Sequence, residues 1–308
     1  MLSKITDNIY KLVVKFPQGM GDVNSYLIKG ENGYTVIDTG TNHQNAIDIW
    51  QRVIDSGIMV EKVVLTHTHE DHIGLARWFK ETIGVPIIVS KFGLSEMEKR
   101  RNMPLKQFNQ LITKYDGPAL PKNYKDDTSI YEFMPDELFD SQQDILIGED
   151  IYQTIWTPGH AYDQYCFYNK KKNIMIVGDH ILKDFSPVIG LWNGEETNPL
   201  KEYFDSLEKI KQYKPSIALP GHGESIVDLQ TRVEEIQERH QFRLEQVIGA
   251  IKQEYKTASQ ISHEIYNTLN VIINLSAFMA TVTRLIYLES LGKIERKVVN
   301  GKHMFRAI

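Results

Sequence analysis

Several features are scarce in this chain, and each scarcity excludes a class. One cysteine, Cys166, occurs in 308 residues, so no internal disulfide can form and a secreted, disulfide-stapled scaffold is excluded. Cys166 lies in the apolar-aromatic run Tyr165-Cys166-Phe167-Tyr168 and reads as a buried structural thiol rather than a nucleophile. No apolar run approaches the ~18 residues of a membrane span. The opening stretch, residues 1–8, lacks the apolar centre of a secretory leader. A cytoplasmic location is expected, with no membrane partner. Internal repeats and low-complexity tracts are also missing. What remains is a chain of ordinary apolar content, long enough for one large domain and a small one.

The densest chemistry stands at residues 66–74, Thr66-His67-Thr68-His69-Glu70-Asp71-His72-Ile73-Gly74. Val63, Val64 and Leu65 read as the end of a buried strand, and the stretch after Ile73 turns helical, so the histidines occupy a strand-to-helix junction. His67 and His69 are two apart and leave the same face of an extended backbone, which lets both grip one ion. Asp71 and His72 follow the turn and can grip another. Imidazole suits zinc, iron and manganese, and a carboxylate adds charge and hardness. Three further residues of ligand type each end an apolar run beside glycine or proline: His160 after Ile155–Gly159, Asp179 after Ile174–Gly178, and His222 after Ile217–Gly221. Such residues turn the backbone sharply enough to aim a side chain inward.

Through His67-x-His69-x-Asp71-His72, His160, Asp179, His222 and the Asp-Thr-Gly at 38–40, the chain resembles the metallo-β-lactamase superfamily of dinuclear hydrolases over residues 8–225. The resemblance implies that His67, His69 and His160 hold one metal, that Asp71, His72 and His222 hold a second, and that Asp179 bridges them. Asp38 would orient the ligands without touching metal. Two divalent ions, zinc first and iron or manganese as alternatives, would then hold an activated hydroxide between them. Asp71 would double as ligand and proton acceptor. The implied reaction is hydrolysis of an ester, thioester or lactone carbonyl of a small molecule. The diiron oxidoreductases of this fold carry glutamate in place of the second histidine, and His69 stands against that branch. After His160 the chain reads Ala161-Tyr162-Asp163-Gln164-Tyr165, a departure from the small-residue turn of glyoxalase-II-like thioesterases.

The implied architecture is α/β (α+β), a four-layer αββα sandwich over residues 1–225, followed by a linking amphipathic helix over 226–256 and a winged-helix-like domain over 257–308. Strands are expected near 9–16, 22–29, 33–38, 60–66, 86–90, 151–157, 164–169, 173–178 and 216–219. Helices are expected near 43–56, 73–82 and 199–213. Residues 91–145 form an insertion, a pocket wall or lid, whose Tyr124, Tyr131, Phe133, Met134 and Phe139 either line an acyl pocket or pack the insertion onto the body. Leu229, Val233, Ile236, His240, Leu244, Val247 and Ile251 recur every three or four residues, an apolar stripe for packing within a monomer or along a homodimer seam. Further helices are expected at 257–268 and 276–291, and Asn300-Gly301 between two short strands signals a type I′ hairpin. The combination resembles a bacterial subgroup related to the lactamase-like endoribonucleases. Residues 240–308 carry nine Lys/Arg against five Glu, a net of +4 that leaves −9 on the rest of a −5 chain. That excess is modest and screened at physiological salt. RNA is therefore the alternative partner, as substrate of a single-strand endoribonuclease clamped by the winged helix, behind a small-molecule substrate.

Overall fold

The computed structural model describes residues 2–15, 22–102, 105–120, 127–266 and 271–308. Two compact units interleave along the chain. The first comprises residues 1–101, 127–187 and 209–232; the second comprises 102–126, 188–208 and 233–308. The division expected at 225 and 256 follows chain order and is replaced by this interleaved one. The long helix Leu229–Ala250 runs across the boundary at 232, and its apolar stripe from Leu229 to Ile251 is buried throughout.

In the first unit, strands β1 (Leu2–Lys4), β2 (Ile9–Val14), β3 (Val23–Lys29), β4 (Tyr34–Ile37), β5 (Val60–Val64), β6 (Ile87–Ser90) and β7 (Glu137–Phe139) form one sheet in sequential order. Strands β8 (Asp144–Ile147), β9 (Asp150–Trp156), β10 (Tyr165–Asn169), β11 (Ile174–Gly178) and β12 (Ile217–Pro220) form a second, ordered β12-β11-β10-β9-β8. The β2–β4 segment is an antiparallel meander, whereas β4 to β7 run parallel, which requires the crossover helix α1 (Gln44–Asp55) between β4 and β5. Alternation of side chains gives the first sheet two buried faces. Tyr26, Ile28, Ile37, Val64 and Ile88 meet Tyr152, Tyr165, Phe167, Ile176 and Leu219 of the second sheet in one apolar cluster. Leu27, Val36, Val63 and Val89 face the other way and pack with Trp50 of α1 and Phe79. Short helices α2 (Glu70–Ile73) and α3 (Ala76–Trp78), followed by a π-helical turn over Phe79–Ile83, replace the single helix expected at 73–82.

The insertion begins with α4 (Lys91–Asn102) and α5 (Leu105–Lys114). Of the two roles open to its aromatic residues, packing is the one found for Tyr131, Phe133 and Phe139. Tyr131 and Phe133 are buried in the cluster that holds Trp50, and Phe139 lies between the two sheets, while Met134 is exposed. These rings complete the hydrophobic core, the role that burial of 150–250 Å² of aromatic surface favours. Tyr124 lies outside the described residues.

The second unit contains the greater part of α6 (Pro199–Ile210) and of α7 (Leu229–Ala250), then α8 (Ala258–Tyr266), α9 (Val271–Ser290) and a small sheet ordered β13 (Lys256–Thr257), β15 (Lys302–Ala307), β14 (Ile294–Val299). Asn300 (φ +50°) and Gly301 (φ +77°) both adopt left-handed backbone between paired Val299 and Lys302, as a type I′ turn demands. No helix among the described residues is long and apolar enough to cross a membrane.

Candidate metal centre

All seven residues singled out for metal binding stand at the ends of first-unit strands. His67 and His69 follow β5, Asp71 and His72 belong to α2, His160 follows β9, Asp179 follows β11 and His222 follows β12. One ligand-type atom from each of His67, His69 and His160 lies within 4.8 Å of the others, and the same holds for Asp71, His72, Asp179 and His222. Asp179 joins the two groups: its Oδ2 is 3.5 Å from His160 Nε2 and 3.2 Å from His222 Nε2, and its Oδ1 is 3.4 Å from His72 Nε2.

Outer hydrogen bonds decide which ring nitrogen each histidine turns inward. Asp38, after β4, accepts from Thr66 N at 2.8 Å, from Thr66 Oγ1 at 2.7 Å and from His72 Nδ1 at 2.8 Å. Because the Thr66 hydroxyl donates to Asp38, it accepts from His67 Nδ1, 3.0 Å away. His222 Nδ1 donates to the Asp22 carbonyl at 2.9 Å. All three rings therefore carry a proton on Nδ1 and turn Nε2 into the cluster, as a bare lone pair on His67 and as the atom whose proton a metal would displace on His72 and His222. His69 differs, with Nδ1 3.0 Å from His160 Nε2.

The donor set fits divalent cations. His67 Nε2, His72 Nε2 and Asp179 Oδ1 are fully buried, and none has a hydrogen-bond partner among the described residues. Unsatisfied buried lone pairs aimed at one another are costly, and cations satisfy them together. The electrostatics of the metal-free cluster point the same way. Burial, then the neighbouring imidazoles, holds His67 and His69 well below the ordinary histidine range. Burial opposes charge on His72 too, but Asp179, Asp71 and Asp38 outweigh it and raise it well above that range. His222 is likewise raised against burial, to about 10, mainly by Asp179 and then Asp71. Protons thus stand where positive charge is wanted, and metal binding must displace them.

Glycines admit this crowding. A Cβ on Gly221 would collide with Asp179 Oδ1 and come 2.7 Å from His72 Cε1. Gly178 has φ +50°, and a Cβ there would reach Thr66 Oγ1 at 2.9 Å.

Thr66, the Asp22 carbonyl and Gln164 were not identifiable beforehand as site residues. Gln164 is buried, and its Oε1 accepts from Asp179 N at 3.3 Å. Thr66 begins the histidine motif and was the nearest to legible. Asn24 secures the His222 loop, its N donating to Gly221 O at 2.7 Å and its side chain to Pro220 O at 3.0 Å. Cys166 is buried away from the cluster's chemistry, its thiol pushed up to about 12 by burial, as a structural residue should be.

The family model of the metallo-beta-lactamase superfamily matches residues 19–222. The chain belongs to the metallo-β-lactamase superfamily. It is a metallo-hydrolase of that superfamily, and its His/Asp cluster is of the kind that binds divalent metal ions. Among curated relatives, a Bacillus subtilis protein named probable metallo-hydrolase YqjP is 28% identical over 279 residues, covering 85% of this chain and 86% of that one. An Aspergillus chevalieri protein named atrochrysone carboxyl ACP thioesterase is 26% identical over 262 residues, covering 82% and 68%. Among solved structures, a metallo-beta-lactamase family protein from Thermus thermophilus superposes with TM-score 0.86 at 25% identity, covering 99% of this chain and 100% of that one.

Proposed function

We propose that this enzyme hydrolyses the thioester of a small acyl substrate at a dinuclear centre, most suitably zinc. His67, His69 and His160 would hold one ion, Asp71, His72 and His222 the other, and Asp179 both. The observation that carries the reading is the pair of ligand groups joined by Asp179, with buried lone pairs left unsatisfied on both sides. Two bound divalent ions would supply Lewis acidity and make water acidic enough to attack at neutral pH.

The chain's own residues account for the rest. Asp38 and Thr66 fix the tautomers of His72 and His67 before substrate arrives. Asp71 is the more open of the two clustered carboxylates, 24% exposed at the side chain against 6% for Asp179, and is placed to accept the proton of the attacking water. Attack on the acyl carbon breaks the C–S bond and gives a carboxylic acid and a thiol. A thiolate leaves readily without prior protonation, since its conjugate acid has a pKa near ~8.5, so a thioester asks less of a general acid than an amide does. Beside the His160 loop, Phe92 and Trp156 lie with tilted rings 4.8 Å apart between centroids, and Tyr162 meets both edge-on at 5.1 and 5.4 Å. Those rings suit an apolar acyl group. The thioesterases among the fungal relatives support the same class.

Residues 257–308 are read as a winged helix, with α8 and α9 followed by the β14–β15 hairpin as its wing. Three of its six Lys/Arg are engaged at home: Arg296 with Glu289 and Glu196, Arg306 with Glu295, and Lys302 with Asp116. That pairing lowers the free positive charge on offer to an RNA backbone.

Metal analysis of protein purified without added metal, with a panel of acyl thioester, ester, lactone, β-lactam and single-stranded RNA substrates, tests the reading. Expected are two metals per chain and thioester turnover that a chelator abolishes. RNA cleavage without thioester turnover would overturn it.

A further inference from the structure

The second unit contains a buried cation that no carboxylate among the described residues neutralises. Arg284, on α9, is 8% exposed, and no carboxylate pairs with it among the described residues. Its Nη1 donates to Tyr266 Oη at 2.8 Å and to the Ala280 carbonyl at 2.9 Å. Nε is fully buried with no partner, and Nη2 makes no hydrogen bond among the described residues. Nε and Nη2 form the side-on edge of a guanidinium, the edge that takes two oxygens of an oxyanion in parallel. That edge is the one left without a partner among the described residues.

More donors and a second positive charge belong to the same neighbourhood. Tyr266 Oη accepts from Arg284, which leaves its own hydrogen to donate. The Arg243 guanidinium lies over the Tyr266 ring, 4.9 Å from its centroid. His240 is buried beside the rings of Tyr203 and Phe204, with both ring nitrogens unpartnered. Burial, then the charges of Arg284 and Arg239, pushes it down to about 3, so the ring is neutral and carries one N–H donor. A buried cation with donors on several sides and no acid is expensive to maintain unless an anion completes it.

We propose that Arg284, Arg243 and Tyr266 form an oxyanion site in the second unit, and that its ligand is a phosphate group on a small molecule. A carboxylate uses the open edge of Arg284 alone. A phosphate has oxygens enough for that edge and the Tyr266 hydroxyl together, and its second charge answers Arg243. The site is separate from the proposed thioesterase chemistry and does not depend on it.

Thermal unfolding and isothermal titration of the metal-loaded protein, with inorganic phosphate, a sugar phosphate or acetate at matched ionic strength, test the proposal. Wild type should bind phosphate saturably and melt higher with it than with acetate. Arg284→Met should lose that response while turning over small substrates at the wild-type rate. Arg284→Lys, which keeps the charge without the fork, should bind at least tenfold more weakly, and Arg243→Gln should also weaken binding. Because every variant keeps the metal cluster, any phosphate bound there cancels in the comparison. An equal phosphate response in wild type, Arg284→Met and Arg284→Lys would overturn the site. So would no saturable response in wild type, acetate matching phosphate, or binding of a single-stranded oligonucleotide without a response to phosphate.

Discussion

Replacing Asp38 by asparagine tests whether the outer hydrogen bonds set the metal affinity. The Asp38 carboxylate accepts three hydrogen bonds, two from Thr66 and one from His72 Nδ1. In Asp38→Asn one carboxylate oxygen becomes an NH2 group, so at least one donor faces another donor. If that group faces His72, the imidazole must move its proton to Nε2, the atom directed at Asp179, and a lone pair is lost from the cluster. Loss of such a partner typically costs about 10- to 100-fold in metal affinity, or ~1.4–2.7 kcal/mol. Backbone strain is not the cause, because Asp38 sits at φ +57° and asparagine tolerates that left-handed region at least as well. The assay is a competition titration with a chromophoric chelator. The equivalent bound by Asp71, His72 and His222 should weaken most, and the one at His67, which Asp38 reaches only through Thr66, should weaken less. Two metals retained at wild-type affinity would refute the reasoning.

Gly221→Ala places a methyl group against Asp179 and His72; misplacement by about 1 Å costs on the order of 100-fold in rate, so steady-state kinetics should record a loss of that size with the circular dichroism spectrum unchanged. Asp163 is fully buried, with Oδ2 unpartnered, and burial, then the nearby Glu96 carboxylate, raises it to about 7. Its folded value lies above its unfolded one, so the folded state binds more protons between roughly pH 4 and 7 and stability falls as pH rises through that window. Asp163→Asn should flatten that fall, read as urea midpoints from pH 4.5 to 8, and gain stability at pH 8 of a few kcal/mol at most; an unchanged pH profile would count against the burial argument.

The seven candidate ligands, nine of the first unit's strands and the Asn300-Gly301 hairpin were legible in the residues alone, while the short strands β1, β7 and β8 were not. Each rests on short-range chemistry: a spacing of two on an extended backbone, a glycine or proline closing an apolar run, a pair of residues that tolerates positive φ. Asp38 was legible through Asp-Thr-Gly, but its three bonds were not. The roles of Tyr131, Phe133 and Phe139 stayed open between pocket and core because apolar character reports that a side chain is buried, not what it is buried against. His222 and Asp22 meet across 200 positions of sequence, and Arg284 and His240 look ordinary until their surroundings are known. Local pattern determined which residues carry the chemistry. Only the tertiary structure decided which nitrogen each histidine turns inward and which charges are left without a partner, because those depend on groups that the folded chain alone brings within hydrogen-bonding distance.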